Sequence, residues 1–118
     1  MLRLQTIKKD AEEYRSAREL IMAYSHAEKV PLYDLICRTP ERVALFGVYE
    51  SGRFCGCSYL LRHDNVALAY YLTFEKHDAA YRIEAALREL LAAQYPHDRI
   101  ILDMNSVPRQ AFPPAAHD

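Results

Sequence analysis

No apolar run in the sequence approaches the roughly 20 residues that a membrane-spanning helix needs, and the first residues, MLRLQTIKKD, lack the hydrophobic stretch of a signal peptide. A cytoplasmic protein is expected. Neither charge is in excess: 15 Lys and Arg stand against 16 Asp and Glu, for a net charge of -1. Nucleic acid and anionic membranes are recognised through clustered basic charge, so neither is an expected partner. An even set of cysteines is also missing, and three thiols without an export signal imply the reduced form rather than a disulfide framework. Internal repeats are absent. What is present is 118 residues, 51% hydrophobic and 26% charged, which suffices for one domain with a real core.

The chain is organised around Val66 to Asn105. Val66 to Phe74 is a nearly unbroken apolar and aromatic run, of the length expected for a strand buried on both faces. From Ala79 to Tyr95 the period becomes helical: Ile83, Leu87, Leu90 and Leu91 form an apolar stripe, with Arg82, Glu84, Arg88 and Glu89 largely opposite. Asp78 is the predicted N-cap, Glu84 and Arg88 make an i,i+4 pair, and Pro96 closes the helix. Arg99 to Met104 is again strand-like. The unit is strand, helix, strand, so its two strands should run parallel through a right-handed crossover.

Upstream, Leu2 to Lys8 alternates as a half-buried strand does, and Asp10 is expected to cap a helix to about Ala23 with Ala11, Tyr14, Ala17, Leu20 and Ile21 inward. Pro31 suits the start of a short second helix carrying Leu32, Leu35 and Ile36. Val43 to Glu50 and Arg53 to Leu61 read as a hairpin across Ser51-Gly52, and a further turn at His63-Asp64-Asn65 leads into the central strand. The expected fold class is α/β (α+β): a mixed sheet in the order βααβββαβ, its first four strands antiparallel and its last parallel to the fourth. Residues 1 to 105 form the domain, and 106 to 118, with three prolines and no periodicity, form an irregular tail.

Four of the five histidines precede aspartate, at His63, His77, His97 and His117, all at predicted turns or ends, where Asp is favoured because its side chain bonds nearby amides. Cys55 and Cys57 point to one face of a strand without the further ligands that a metal needs, so they are read as core and no metal site is expected. Tyr70 and Tyr71 face opposite ways on the central strand. They either fill the core or line a pocket. Glu28 and Glu50 read as ordinary surface charge or as candidates for a base.

The order of elements resembles that of the GNAT superfamily of N-acyltransferases, which transfer an acetyl group from acetyl-CoA to an amine. GVYESGRFCGCSYLL is similar to that family's second and third strands, with Gly56 as the strand glycine. AYYLTFEKHDAAYRIEAALREL is similar to its donor-binding segment, and HAEKVP to the start of an acceptor-side loop. The resemblance implies acetyl-CoA as cofactor and a small-molecule or peptide amine as acceptor. It implies that backbone groups of Leu72, Thr73 and Phe74 hold the pantetheine arm. Amides from Ala79, Ala80 and Tyr81 through Arg82 to Glu84 would take the pyrophosphate at a helix N-terminus. Glu28, Glu50 and Tyr70 are its candidate catalytic residues.

The sequence departs from that pattern where the family places an Arg or Gln followed by two glycines. Ala79, Arg82 and Glu84 stand there. Glycine lets backbone approach a ligand closely, Glu84 repels a pyrophosphate, and only Arg82 offers a phosphate-pairing group in exchange. An alternative reading follows: a catalytically degenerate GNAT-like domain that acts as a binding or assembly module without CoA. The segment after the fifth strand is also shorter than the family's. The edge bearing Ile100, Ile101 and Leu102 is therefore expected either to form a homodimer or to be covered by the tail.

Overall fold

The computed structural model of the chain describes residues 1–8, 10–28 and 43–108, the side chains of 26–28 excepted. Five strands form one sheet in the order β1 (Leu2–Thr6), β2 (Val43–Glu50), β3 (Arg53–His63), β4 (Val66–Thr73) and β5 (Arg99–Ser106). The first four pair antiparallel, and β5 runs parallel to β4, in register from Val66 with Arg99 to Thr73 with Ser106. Two tight turns fix the antiparallel register. Ser51 and Gly52 have φ of 52° and 83°, and Asp64 and Asn65 have φ of 46° and 66°. Positive φ at both central residues twists the turn to match the strands it joins, and Gly, Asn and Asp tolerate that conformation best.

Each face of the sheet carries helix. Helix α1 (Glu13–Glu28) buries Ala17, Leu20, Ile21 and Ala23 against Ile7, Cys57, Tyr59 and Leu72. On the opposite face α2 (His77–Tyr81) and α3 (Glu84–Gln94), with Ile83 at their join, bury Ala80, Ile83, Leu87 and Leu91 against Val48, Leu60, Ala67, Ala69, Tyr71 and Met104. Alternation along β3 and β4 divides their side chains between these two cores. No helix among the described residues is long and apolar enough to cross a membrane.

Three local expectations are corrected. Helix α1 begins at Glu13 rather than at Asp10, because the chain first passes through turns in which the Ala11 amide bonds Lys8 and the Tyr14 amide bonds Ala11. The single helix expected from Asp78 to Tyr95 is two. At the join Ile83 has φ -96° and ψ 0°, its amide bonds Ala80 three residues back, and the Leu87 amide opens the next helix on the Ile83 carbonyl. The first piece ends on two side chains that reach different strands, the Tyr81 hydroxyl to the Met104 carbonyl on β5 and Arg82 to Glu50 on β2. Finally, Asp78 is not the cap: Lys76 holds that position, without a side-chain hydrogen bond, and Asp78 lies in the first turn. The helix expected at Pro31 lies outside the described residues.

Candidate functional site

The strand directions put the carboxyl ends of β2, β4 and β5 at one end of the sheet. A bulge in β3 lies there, beside a cleft. Val48 pairs with Gly56 and Tyr49 with Phe54, so Cys55 has no partner on β2 and β3 bends at that point. Bulges act this way generally, inserting a residue and turning the strand. On its other side β3 keeps step with β4 only as far as Cys57 opposite Leu72. The cleft has a volume of about 340 Å³ and is lined by Ser16, Glu19 and Leu20 of α1, Arg53 to Cys55 of β3, and Thr73 to Glu75.

Thr73 ties this end together. Its hydroxyl donates to the Cys55 carbonyl at 2.6 Å and accepts from the Glu75 amide at 3.1 Å, while its carbonyl accepts from the Val107 amide at 2.7 Å. The Ser106 hydroxyl bonds the Glu75 carbonyl. At the rim Arg53 pairs with Glu75 at 3.0 Å. With Glu19 added, the lining carries two carboxylates against one guanidinium. Cys55 and Cys57 are both free and buried. Burial pushes the Cys57 thiol up to about 12 and raises Cys55 as well, so neither is poised as a thiolate nucleophile.

On the other face Arg82 closes a planar fork on Glu50, at 2.5 and 2.7 Å. The fork holds the Glu50 carboxyl below its ordinary range. The fold thus brings together two residues expected in different roles, one as a base and one as a phosphate ligand, and makes them partners. Glu84 pairs with Arg88 at 3.3 Å, as its spacing predicts. Ala79 is half-buried and Ala80 fully buried. Tyr81 is exposed, with its ring 4.2 Å from that of His77.

Tyr70 lies on the α1 face, stacked on Tyr59 with centroids 4.9 Å apart and planes 13° from parallel, and it does not line the cleft. Leu72 is in the α1-side core, whereas Thr73 and Phe74 do line the cleft. The side chain of Glu28, last residue of α1, lies outside the described residues. Tyr71 is buried, and burial raises the pKa of its hydroxyl. Among the described residues no group of three or more His, Cys, Asp and Glu is placed to hold a metal. Ser16, Glu19, Arg53 and Glu75 were not singled out in the sequence, because nothing there joins three segments so far apart in the chain.

No protein-family model matches the sequence, and no curated protein does. Solved structures do match. One is a GNAT family acetyltransferase from Elizabethkingia anophelis with acetyl-CoA bound, with a TM-score of 0.55 and 11% identity over 86% of this chain and 63% of that one. Another is the ribosomal-protein-alanine N-acetyltransferase from Brucella melitensis biovar Abortus, with a TM-score of 0.51 and 17% identity over 94% of this chain and 85% of that one. The chain spans less than two thirds of the first of these. The fold is that of the GNAT acetyltransferases, here in a divergent sequence.

Proposed function

We propose that this chain is a GNAT-fold domain that does not use CoA and acts as a binding module, with the cleft between α1 and the ends of β3 and β4 as its ligand site. The observation that carries this reading is the Arg82–Glu50 fork. Arg82 is the residue that could replace the missing glycines in holding a pyrophosphate, and both of its terminal nitrogens are given to a carboxylate. A phosphate entering there would have to displace Glu50 and then lie beside it, and Asp78 and Glu84 would add repulsion. The β4 backbone is engaged as well, since Val107 takes the Thr73 carbonyl that a pantetheine arm would otherwise meet.

A second reading, transfer of an acetyl group from acetyl-CoA to an amine, is favoured by the fold itself and by the position of the cleft at the end of β4. Its two carboxylates, Glu19 and Glu75, suit a small-molecule or peptide amine. Of the groups that the family resemblance offers for catalysis, Glu28, Glu50 and Tyr70, neither Glu50 nor Tyr70 lines that cleft, and a carboxylate held by arginine is a weaker base for the amine proton.

Titration calorimetry with acetyl-CoA and with CoA separates the two. The binding module shows no affinity tighter than about 100 μM, and a ligand at 100 times its Kd would raise the stability of the fold by about 2.7 kcal/mol. Low-micromolar binding refutes the first reading and installs the second. Under the first reading, replacing Glu50 by Gln and Glu84 by glycine frees Arg82 and the turn and improves CoA affinity, although a glycine in a helix costs up to about 1 kcal/mol of stability.

A further inference from the structure

The outer edge of β5 is unpaired among the described residues. Its geometry specifies which of its groups face outward. The Arg99 amide bonds Asn65 and the Val107 amide bonds Thr73, and a parallel ladder alternates, so the odd-numbered residues of β5 turn their backbone groups to β4. Ile100, Leu102 and Met104 then present theirs to the free edge. The Met104 carbonyl is already taken by the Tyr81 hydroxyl at 3.4 Å, which leaves Ile100 and Leu102 as the open window. The side chains alternate too. Ile100, Leu102 and Met104 pack on the α3 side, while Arg99, Ile101 and Asp103 emerge on the other side, all exposed, with Ile101 42% accessible. Neither Arg99 nor Asp103 has an ion-pair partner among the described residues.

We infer that this edge pairs with β5 of a second copy of the chain, antiparallel, about a two-fold axis at Ile101. The segment Arg99-Ile100-Ile101-Leu102-Asp103 is self-complementary about its centre. In that register Ile100 lies opposite Leu102 of the second copy, and each such pair exchanges two backbone hydrogen bonds. Arg99 lies opposite Asp103, twice by symmetry, and Ile101 meets Ile101. These last pairs occupy the non-hydrogen-bonded positions, where side chains on facing strands come closest. Moving the axis by one residue sets Ile101 against a charge, and placing it at Asp103 opposes two carboxylates. The pattern of charge therefore selects a second copy as occupant, in one register, and the product is one continuous sheet with five strands from each chain. A contact this short falls below the roughly 1,200 Å² of a standard interface, so the dimer exchanges with monomer.

The test is sedimentation equilibrium of the full chain and of two charge variants, Arg99→Asp and Asp103→Arg. The wild type should approach twice 13.7 kDa as concentration rises. Each variant places like charges opposite each other at two positions and should weaken self-association by about tenfold or more. An equimolar mixture of the two variants restores both opposite-charge pairs and should recover a dimer, which a merely destabilised fold could not do. A wild-type mass of 13.7 kDa up to about 1 mM overturns the proposal. So do variants that dimerise as the wild type does, a mixture that fails to recover, or species larger than dimer, which would mark pairing through β1.

Discussion

Gly56→Ala tests whether the close approach of β3 to β4 at the bulge is a real constraint. An alanine Cβ there would stand well under 3.0 Å from the Leu72 carbonyl oxygen and 2.9 Å from the Tyr71 hydroxyl. The first of these is backbone and cannot swing aside, since Leu72 is in register with Cys57 and the next residue is tied to Cys55 through its hydroxyl. Replacing glycine by alanine gains about 0.4–1 kcal/mol by restricting the unfolded chain where the site has room. Forcing a methyl into a packed site costs about 1–3 kcal/mol, and separating two strands lies at the upper end. The net expectation is a loss of about 2 kcal/mol, which for a urea slope of about 2 kcal/mol/M lowers the unfolding midpoint by about 1 M. Two controls bracket it. At Gly47 the added methyl meets the Tyr49 ring at 2.8 Å and Ile7 at 3.2 Å, both side chains that can shift. At Gly52 nothing lies within 4 Å, but φ is +83° and a side chain there costs about 1 kcal/mol. Urea unfolding followed by circular dichroism should rank Gly56→Ala as the least stable of the three. Gly56→Ala as stable as Gly52→Ala would refute the reasoning.

Thr73→Val keeps the shape and removes the hydroxyl, stranding the Cys55 carbonyl and the Glu75 amide, so it should cost about 1–3 kcal/mol by the same urea measurement. Because Arg82 lowers the folded-state pKa of Glu50, their pairing contributes stability above the ordinary glutamate pKa, and the contribution is lost as pH falls through the lowered value. Thermal unfolding of Arg82→Gln should accordingly differ from the wild type at pH 7 by a small amount and converge with it in acid, and a difference that grows in acid would contradict the assignment.

Period and turn chemistry were enough to read most of the fold. Alternation in β1, the Ser51-Gly52 and Asp64-Asn65 turns, and the stripe of Ile83, Leu87 and Leu91 are local signals, because each reports which face of a single element meets the core. The parallel pairing of β4 with β5 followed from having a helix between two strands. The break at Ile83 was not legible. No proline or glycine marks it, and it arises where Tyr81 and Arg82 reach different strands.

The candidate site shows the same division more sharply. That the turn after β4 lacks glycine and carries Arg82 and Glu84 is plain in the sequence, and so is the doubt it casts on CoA. What those charges do was decided only by tertiary structure, since Arg82 and Glu50 are 32 residues apart and meet because β2 and β4 end on the same side of the sheet. The cleft has the same origin. Its lining comes from α1, β3 and the end of β4, and it includes Cys55, the residue left without a partner on β2. A sequence specifies which faces are apolar through spacing along one element. Which polar groups converge depends on register between elements, and that is set by the packing of the whole sheet.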